Sequence, residues 1–176
     1  MPWLIVVIGI LLGLPLVAFA VGSMLPRDHV ARMRITLPSP PERVWALISD
    51  FGGTPRWRSD VTRVEMLTAE GERVRFVETS KQGTVTFELV SQDPPRKQVV
   101  RVVDEGQPFG GTWTWEVEPE GSGARVTITE AGFIKNPLFR VMGKLFFPPT
   151  ATMNAYLLAL AKELGETATP VELPAP

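Results

Sequence analysis

Hydrophobic and polar positions alternate along most of this chain, with two interruptions at helical spacing. In HVARMRITLPSP, residues 29–40, Ala31, Met33, Ile35 and Leu37 fall on one side of an extended segment, with Arg32, Arg34 and Thr36 on the other. That is the two-residue period of a strand with one covered face. Pro38, Pro40 and Pro41 end it. Pro41 suits the first position of a helix and Glu42 its first turn. Val44, Trp45, Leu47 and Ile48 then form an apolar stripe, so a helix is expected over 41–50. Gly52-Gly53 stops it, and Thr54-Pro55 restarts a short helical turn ending near Ser59.

Six further strands are expected. They cover 61–68, 72–80, 84–92, 97–104, 111–120 and 124–132, with turns at Glu70-Gly71, Gln82-Gly83, Asp93-Pro94-Pro95, Glu105-Gly106 and Gly121-Ser122-Gly123. Short alternating runs with such turns indicate an antiparallel meander. Val74, Phe76 and Glu78 share a face, as do Val85, Phe87 and Leu89; Trp113, Trp115 and Val117; and Val126, Ile128 and Glu130. The opposite positions are mostly Thr, Arg and Glu, so one face is covered and one is wet. The cover is the C-terminal segment. Asn136-Pro137 opens a helix over about 137–147, Pro148-Pro149 breaks it, and a longer helix follows over about 150–164. Met153, Tyr156, Leu157, Leu160 and Leu164 lie on one side of that helix, Gly165 ends it, and 166–176 has the composition of a flexible tail.

The segment from Met1 to Pro26 follows neither period and contains no charged side chain. About 20 apolar residues suffice for a helix to cross a bilayer. Trp3 suits one interface, and Arg27, Arg32 and Arg34 follow at the other end, which favours a cytoplasmic domain on a single-pass anchor. The competing reading is a cleaved signal peptide, with Ala18-Phe19-Ala20 as the small-x-small site. The missing basic n-region and the long apolar run favour the retained anchor. The resulting division is an anchor at 1–26, a domain at 27–165 and a tail at 166–176.

Composition narrows the chemistry. Eighteen Lys and Arg balance 19 Asp and Glu without a basic stripe, so no nucleic-acid footprint is expected. There is no Cys, and His29 is the only His, which argues against thiol chemistry, Cys-ligated zinc, a His-rich metal site and a Ser-His-Asp triad. Neither Gly110-Gly111 nor the glycines at 121–123 have the spacing of a phosphate-cradling loop. Asp104-Glu105 and Glu116/Glu118 are too sparse to indicate a metal, and no cofactor is expected.

The order strand, two short helices, six strands, long helix resembles the helix-grip fold of the SRPBCC (START-like, polyketide cyclase/dehydrase) superfamily. The resemblance is carried by Pro40-Pro41-Glu42-Arg43-Val44-Trp45, Ser49-Asp50-Phe51 with Trp57, Gly111-Thr112-Trp113-Thr114-Trp115, residues 123–130 and the last helix. It covers about 28–165 and implies an α+β fold with a curved antiparallel sheet of about seven strands around a long C-terminal helix. It also implies a cavity between sheet and helix, in a superfamily whose members bind sterols, lipids, quinones, polyketides or plant hormones. The apolar N-terminal segment departs from the usual soluble member.

Candidate ligand-binding residues are Trp57, Phe76, Glu78, Phe87, Trp113, Trp115, Glu130, Met153 and Tyr156. Trp113 and Trp115 are either cavity walls or core filling, and a buried indole N–H needs a polar partner. Glu78 and Glu130 end their strands on the covered face, either orienting a ligand head and exchanging protons or forming ion pairs at the rim. Arg101 is a possible partner for them. Tyr156 could present its hydroxyl to the cavity or simply pack. Trp45 should pack inward, Trp57 should either sit at the rim or pack half-buried, and Asp50 should cap the turn before Gly52-Gly53. The helix pair at 41–59 is thus expected to form the mouth or lid of a hydrophobic pocket. The leading expectation is a membrane-anchored binding or carrier protein for an apolar or amphipathic small molecule. The alternatives are a cyclase/dehydrase-type enzyme using Glu130 and Tyr156, and a protein-interaction module whose partner the sequence does not name.

Overall fold

The computed structural model describes residues 2–67, 74–81, 83–104, 106–146 and 148–175, with the side chains of 2 and 4–12 outside that description. β1 (Asp28–Leu37) leads to α2 (Pro41–Ile48) and a 3-10 turn (Phe51–Arg56). The meander follows as β2 (Val61–Leu67), β3 (Arg75–Ser80), β4 (Gly83–Asp93), β5 (Lys97–Val102), β6 (Phe109–Glu120) and β7 (Gly123–Ile134). α3 (Pro137–Phe146), α4 (Pro149–Glu163) and β8 (Val171–Leu173) close the chain, and α1 (Pro2–Met24) precedes it all. The strands form one antiparallel sheet in the order β2-β3-β4-β5-β6-β7-β1-β8.

The register matches the alternation read from the chain. Phe76 lies opposite Phe87, Trp113 opposite Val100 and Glu130, and Ile128 opposite Met33 and Trp115. Register shifts between Val61 and Arg63 and between Leu89 and Ser91 interrupt the ladder, and such irregularities bend and twist a sheet locally. α4 lies in the resulting curve, burying Met153, Tyr156, Leu157, Leu160 and Ala161 against Met33, Ile35, Trp115, Val126 and Ile128. Each such large apolar side chain contributes about 1.5–3 kcal/mol by leaving water, so this contact dominates the cohesion of the domain.

α2 closes one flank. It starts on Pro40-Pro41 without a side-chain cap and buries Val44, Trp45 and Ile48. Gln98, fully buried on β5, donates its amide to the Ile48 carbonyl at 2.9 Å and so satisfies the helix end from the sheet. The 3-10 turn begins at Phe51, earlier than the expected Thr54, because the Asp50 carboxylate accepts the Gly53 N–H at 3.0 Å.

Two expectations need correction. Among the described residues the sheet has eight strands where about seven are expected, and 166–175 does not form a free tail. Val171–Leu173 pairs with Arg32–Arg34 on the side of β1 away from β7. The exposed edge of β1 offers unpaired backbone groups that a short extended segment can satisfy, while Ala168 packs against the core and the Glu166 carboxylate accepts from Ser39 Oγ at 2.5 Å. The turns expected at Glu70-Gly71, Gln82 and Glu105, the start of the third strand at 72–73 and the helix end at 147 lie outside the described residues.

α1 extends over 23 residues with Pro15 inside it. Among the residues described with their side chains, no helix is long and apolar enough to cross a membrane.

Replacing Leu160, which is fully buried, with Ala should destabilise the domain by about 2–5 kcal/mol. The same change at Leu158, on the exposed side of α4, should stay within about 0.5 kcal/mol. Urea unfolding of both variants measures the contrast, and equal losses would show that α4 is not gripped as described.

Candidate ligand site on the concave face

The concave face is aromatic where α4 crosses it. The Tyr156 ring lies edge-on to Trp57 at 5.2 Å between centroids, with Trp115 at 5.8 Å and Trp113 at 6.4 Å. Trp113 and Trp115 touch at 5.6 Å. A second group stacks Phe51 on Phe76 at 4.5 Å and Phe76 on Phe87 at 5.3 Å. Ring pairs of this kind add about 0.5–1.5 kcal/mol each beyond area burial, so both groups are cohesive as they stand. Met153 is fully buried one turn before Tyr156.

The polar centre of this face is Arg58. It emerges just after the 3-10 turn, and its guanidinium sits 5.3 Å above the Tyr156 ring. Nη1 donates to Glu78 Oε2 at 3.1 Å and Nη2 to Asp60 Oδ2 at 2.6 Å. The side chains of Arg58 and Glu78 are 11% and 16% exposed, so both charges are largely withdrawn from water. Burial opposes the Arg58 charge, but Glu78 and Asp60 outweigh it and hold the guanidinium above its ordinary value. For Glu78 the balance falls the other way. Burial, with Asp60 nearby, pushes its carboxyl above the usual range, against the pull of Arg58. Burial likewise pushes the Tyr156 hydroxyl well above its ordinary value, so it remains a neutral donor.

A second pair lies on the same face. His29 Nε2 is 3.2 Å from Glu130 Oε1, with side chains 27% and 19% exposed. Gly132 makes this possible, because a Cβ there would meet the His29 ring at 2.7 Å. Gly111, directly across from Gly132, has φ +137, a conformation glycine adopts at little cost. Two adjacent positions of the concave face therefore carry no side chain.

The nine sequence candidates thus share one face but divide between groups. Trp57, Trp113, Trp115 and Tyr156 cluster with Arg58 and Glu78; Phe76 and Phe87 stack beside them; Glu130 turns to His29. Trp57 is half-buried against Tyr156, the packing alternative of the two readings. Arg101 is not the partner of either carboxylate. It projects from the convex face to Glu88 at 2.6 Å, where Arg75 also binds at 2.8 Å and, with Arg101, holds the Glu88 carboxyl below its usual range. Trp115 Nε1 is buried and makes no well-formed hydrogen bond, although it lies close enough to Tyr156 to pull slightly against the rise of that hydroxyl. Two depressions of about 310 and 410 Å³ open elsewhere, one beside Asp50, Phe51 and Leu89 and the other beside Arg101, Phe109 and Lys135. Neither is lined by Tyr156 or its tryptophan neighbours.

Sequence reasoning missed Arg58 and His29. His29 shares the strand parity of Ala31, Met33 and Ile35, so its inward direction was readable from the alternation. Arg58 follows an irregular turn, where no periodicity reports direction.

A curved antiparallel sheet closed over one long helix, with an aromatic interior and few buried polar groups, defines a helix-grip ligand-binding fold. Residues 28–164 match the family of polyketide cyclase/dehydrase and lipid transport proteins, and the chain belongs to that family. Among solved structures it is similar to the Zhui aromatase/cyclase from Streptomyces sp. R1128, with a TM-score of 0.69 and 14% identity over 78% of this chain and 94% of that one. TTHA0849 from Thermus thermophilus aligns with a TM-score of 0.59 and 26% identity over 77% and 94% of the two chains. The di-domain aromatase/cyclase StfQ of the steffimycin biosynthetic pathway aligns with a TM-score of 0.63 and 16% identity over 79% of this chain and 52% of its own. No match was found among curated proteins.

The raised Glu78 value sets a pH signature. A carboxyl held above its ordinary 4.5 favours the folded state in its protonated form. That contribution is fully present below the unfolded value and is lost as pH rises through the folded one. Glu78→Gln should therefore show a smaller loss, or a larger gain, of stability than the unaltered chain between about pH 4 and about pH 7. Urea midpoints at the two pH values read this out, and parallel behaviour of the two proteins would remove Glu78 from the account.

Proposed function

We propose that this protein binds a small apolar or amphipathic molecule between the sheet and α4, and that α1 tethers it to a membrane. The supporting observation is the buried Trp115 N–H, which lacks a well-formed hydrogen bond, beside the neutral Tyr156 hydroxyl within an otherwise aromatic interior. A buried donor without an acceptor costs about 1–3 kcal/mol. A ligand carbonyl or ether oxygen would relieve that cost, and the rings would pack on its flat or aliphatic body. Quinones, polyketide-like compounds and lipids with an oxygenated head fit this description. Trp57, Phe76, Phe87, Trp113 and Met153 supply apolar surface, while Arg58 with Glu78 presents a fixed dipole. The rings touch one another, so entry requires Trp57 or Trp113 to move aside.

The tether rests on 23 helical residues without a charged side chain, followed by Arg27, Arg32 and Arg34. That charge placement favours a domain on the cytoplasmic side. Confinement beside the bilayer raises the effective concentration of a membrane-soluble ligand.

A second reading, a cyclase/dehydrase-type enzyme, is favoured by the His29–Glu130 pair. A carboxylate that orients an imidazole is a familiar general-base arrangement, and the side-chain-free floor at Gly111 and Gly132 leaves room beside it. Here His29 would take a proton from an activated carbon, and Tyr156 would donate to the oxygen that gains charge.

Native mass spectrometry of the full chain, purified gently in detergent and followed by organic extraction, tests the binding reading. A discrete retained molecule is expected. Tyr156→Phe should weaken rebinding of that molecule up to about tenfold, the value of one hydrogen bond. A folded chain that retains nothing and whose tryptophan fluorescence ignores added naphthoquinone, fatty acid and phospholipid would overturn it. The enzyme reading requires His29→Ala to abolish turnover of the extracted compound while leaving its binding intact.

A further inference from the structure

α3 is an amphipathic helix with no buried residue. Phe139, Met142, Leu145 and Phe146 are 46%, 46%, 66% and 68% exposed. Their spacing puts three of them on one narrow stripe, with Leu145 at its margin. The flank beside this stripe is occupied. Arg140 donates to the carbonyls of Ile134 and Lys135, and Gly143 abuts the Ile134 side chain. α3 is therefore held to the end of β7 by its polar side while its apolar side faces outward.

The same helix is fastened to α1. Arg140 Nη1 reaches the carbonyls of Gly22 and Leu25 at 3.4 and 3.3 Å. At Gly22 any side chain would collide with the Pro137 backbone, since a Cβ would stand 2.0 Å from its carbonyl oxygen. The end of α1 and the start of α3 thus meet at backbone distance. Phe19, Val21 and Met24 on α1 are exposed too, so the apolar stripe of α3 continues an apolar surface rather than standing alone.

We propose that α3 lies in the interfacial layer of the bilayer, with Phe139, Met142 and Phe146 among the acyl chains. The proposal rests on α1 being an anchor, and adds a second element that fixes how the domain stands on the membrane. Scattered exposed hydrophobes need no explanation, but a contiguous stripe adjoining a long apolar helix does. The charges nearby fit an anionic lipid surface. Arg27 sits over Phe133 at 5.1 Å, and Lys135, Arg140 and Lys144 surround the helix, against Asp28 and Asp104 as the neighbouring acids. The consequence concerns the ligand. The register places Phe76 level with Gly111, Gly132 and His29, and Glu78 one pleat nearer the end where β6 begins and β7 hands over to α3. That end of the concave face would then look toward lipid, and a membrane-dissolved ligand could enter without crossing water.

The absence of cysteine makes a site-directed label unambiguous. Single variants Phe139→Cys, Met142→Cys and Phe146→Cys, with Ser122→Cys at the opposite end of the sheet as reference, would carry an environment-sensitive fluorophore. The full chain would be reconstituted in phosphatidylcholine vesicles containing some phosphatidylglycerol, with or without bromine on the acyl chains. The expected result is blue-shifted emission and severalfold stronger bromine quenching at 139, 142 and 146 than at 122. If the chain resists alkaline carbonate extraction but these labels quench no more than the reference, the proposal fails and the anchor stands. Blue-shifted labels that bromine does not quench would mean that protein, such as a second copy, covers the stripe, and the proposal fails again. Release of the chain by carbonate would remove the anchor and this inference together.

Discussion

The rest of the domain depends on the burial of α4 in the curve of the sheet. Neither partner is self-sufficient. The helix has one face of Met153, Leu157, Leu160 and Ala161 that cannot stay in water, and the sheet has a concave face of valine, isoleucine and tryptophan with the same need. Once the two meet, the remaining features follow as ways of keeping them together. The register shifts give the sheet its bend, and Gln98 ties α2 to β5, so that Val44, Trp45 and Ile48 close a flank that α4 leaves open.

Within that enclosure the charged groups are arranged in two unlike ways. Arg58 is shared by two carboxylates and an aromatic ring, and removing any one of them would leave the others poorly compensated. Breaking a buried pair from one side commonly costs about 3–5 kcal/mol. His29 and Glu130 form a lighter, more accessible pair, set over two glycines. The first arrangement is suited to holding a shape and an electrostatic field. The second is suited to exchanging a proton. A single interior of this kind is compatible with a passive carrier or a catalyst.

Much of this was legible in the chain because alternation reports direction. Phe76, Phe87, Trp113, Trp115, Ile128 and Glu130 were assigned to the covered face by parity alone, and the register agrees. The same parity places His29 on the covered face. What was illegible came from places without a period. Arg58 follows a 3-10 turn, so its aim at Glu78 and Tyr156 depends on how Asp50 folds back on Gly53. The segment Val171–Leu173 is too short to show a pattern, and it becomes a strand only because β1 has a free edge beside it. Arg101 was a candidate partner for Glu78, but its convex-face parity commits it to Glu88.

The placement of β1 has a mechanical consequence. It follows α1 directly, yet it lies inside the sheet, laddered to β7 on one side and to β8 on the other. A pull on α1 is shared between its clasp on α3 and this strand, which it reaches through the chain. Force along the strand loads the flanking hydrogen bonds in parallel, as shear, whereas a pull across an edge strand would open them one after another. The final residues thus act as a brace on the strand that follows the first helix.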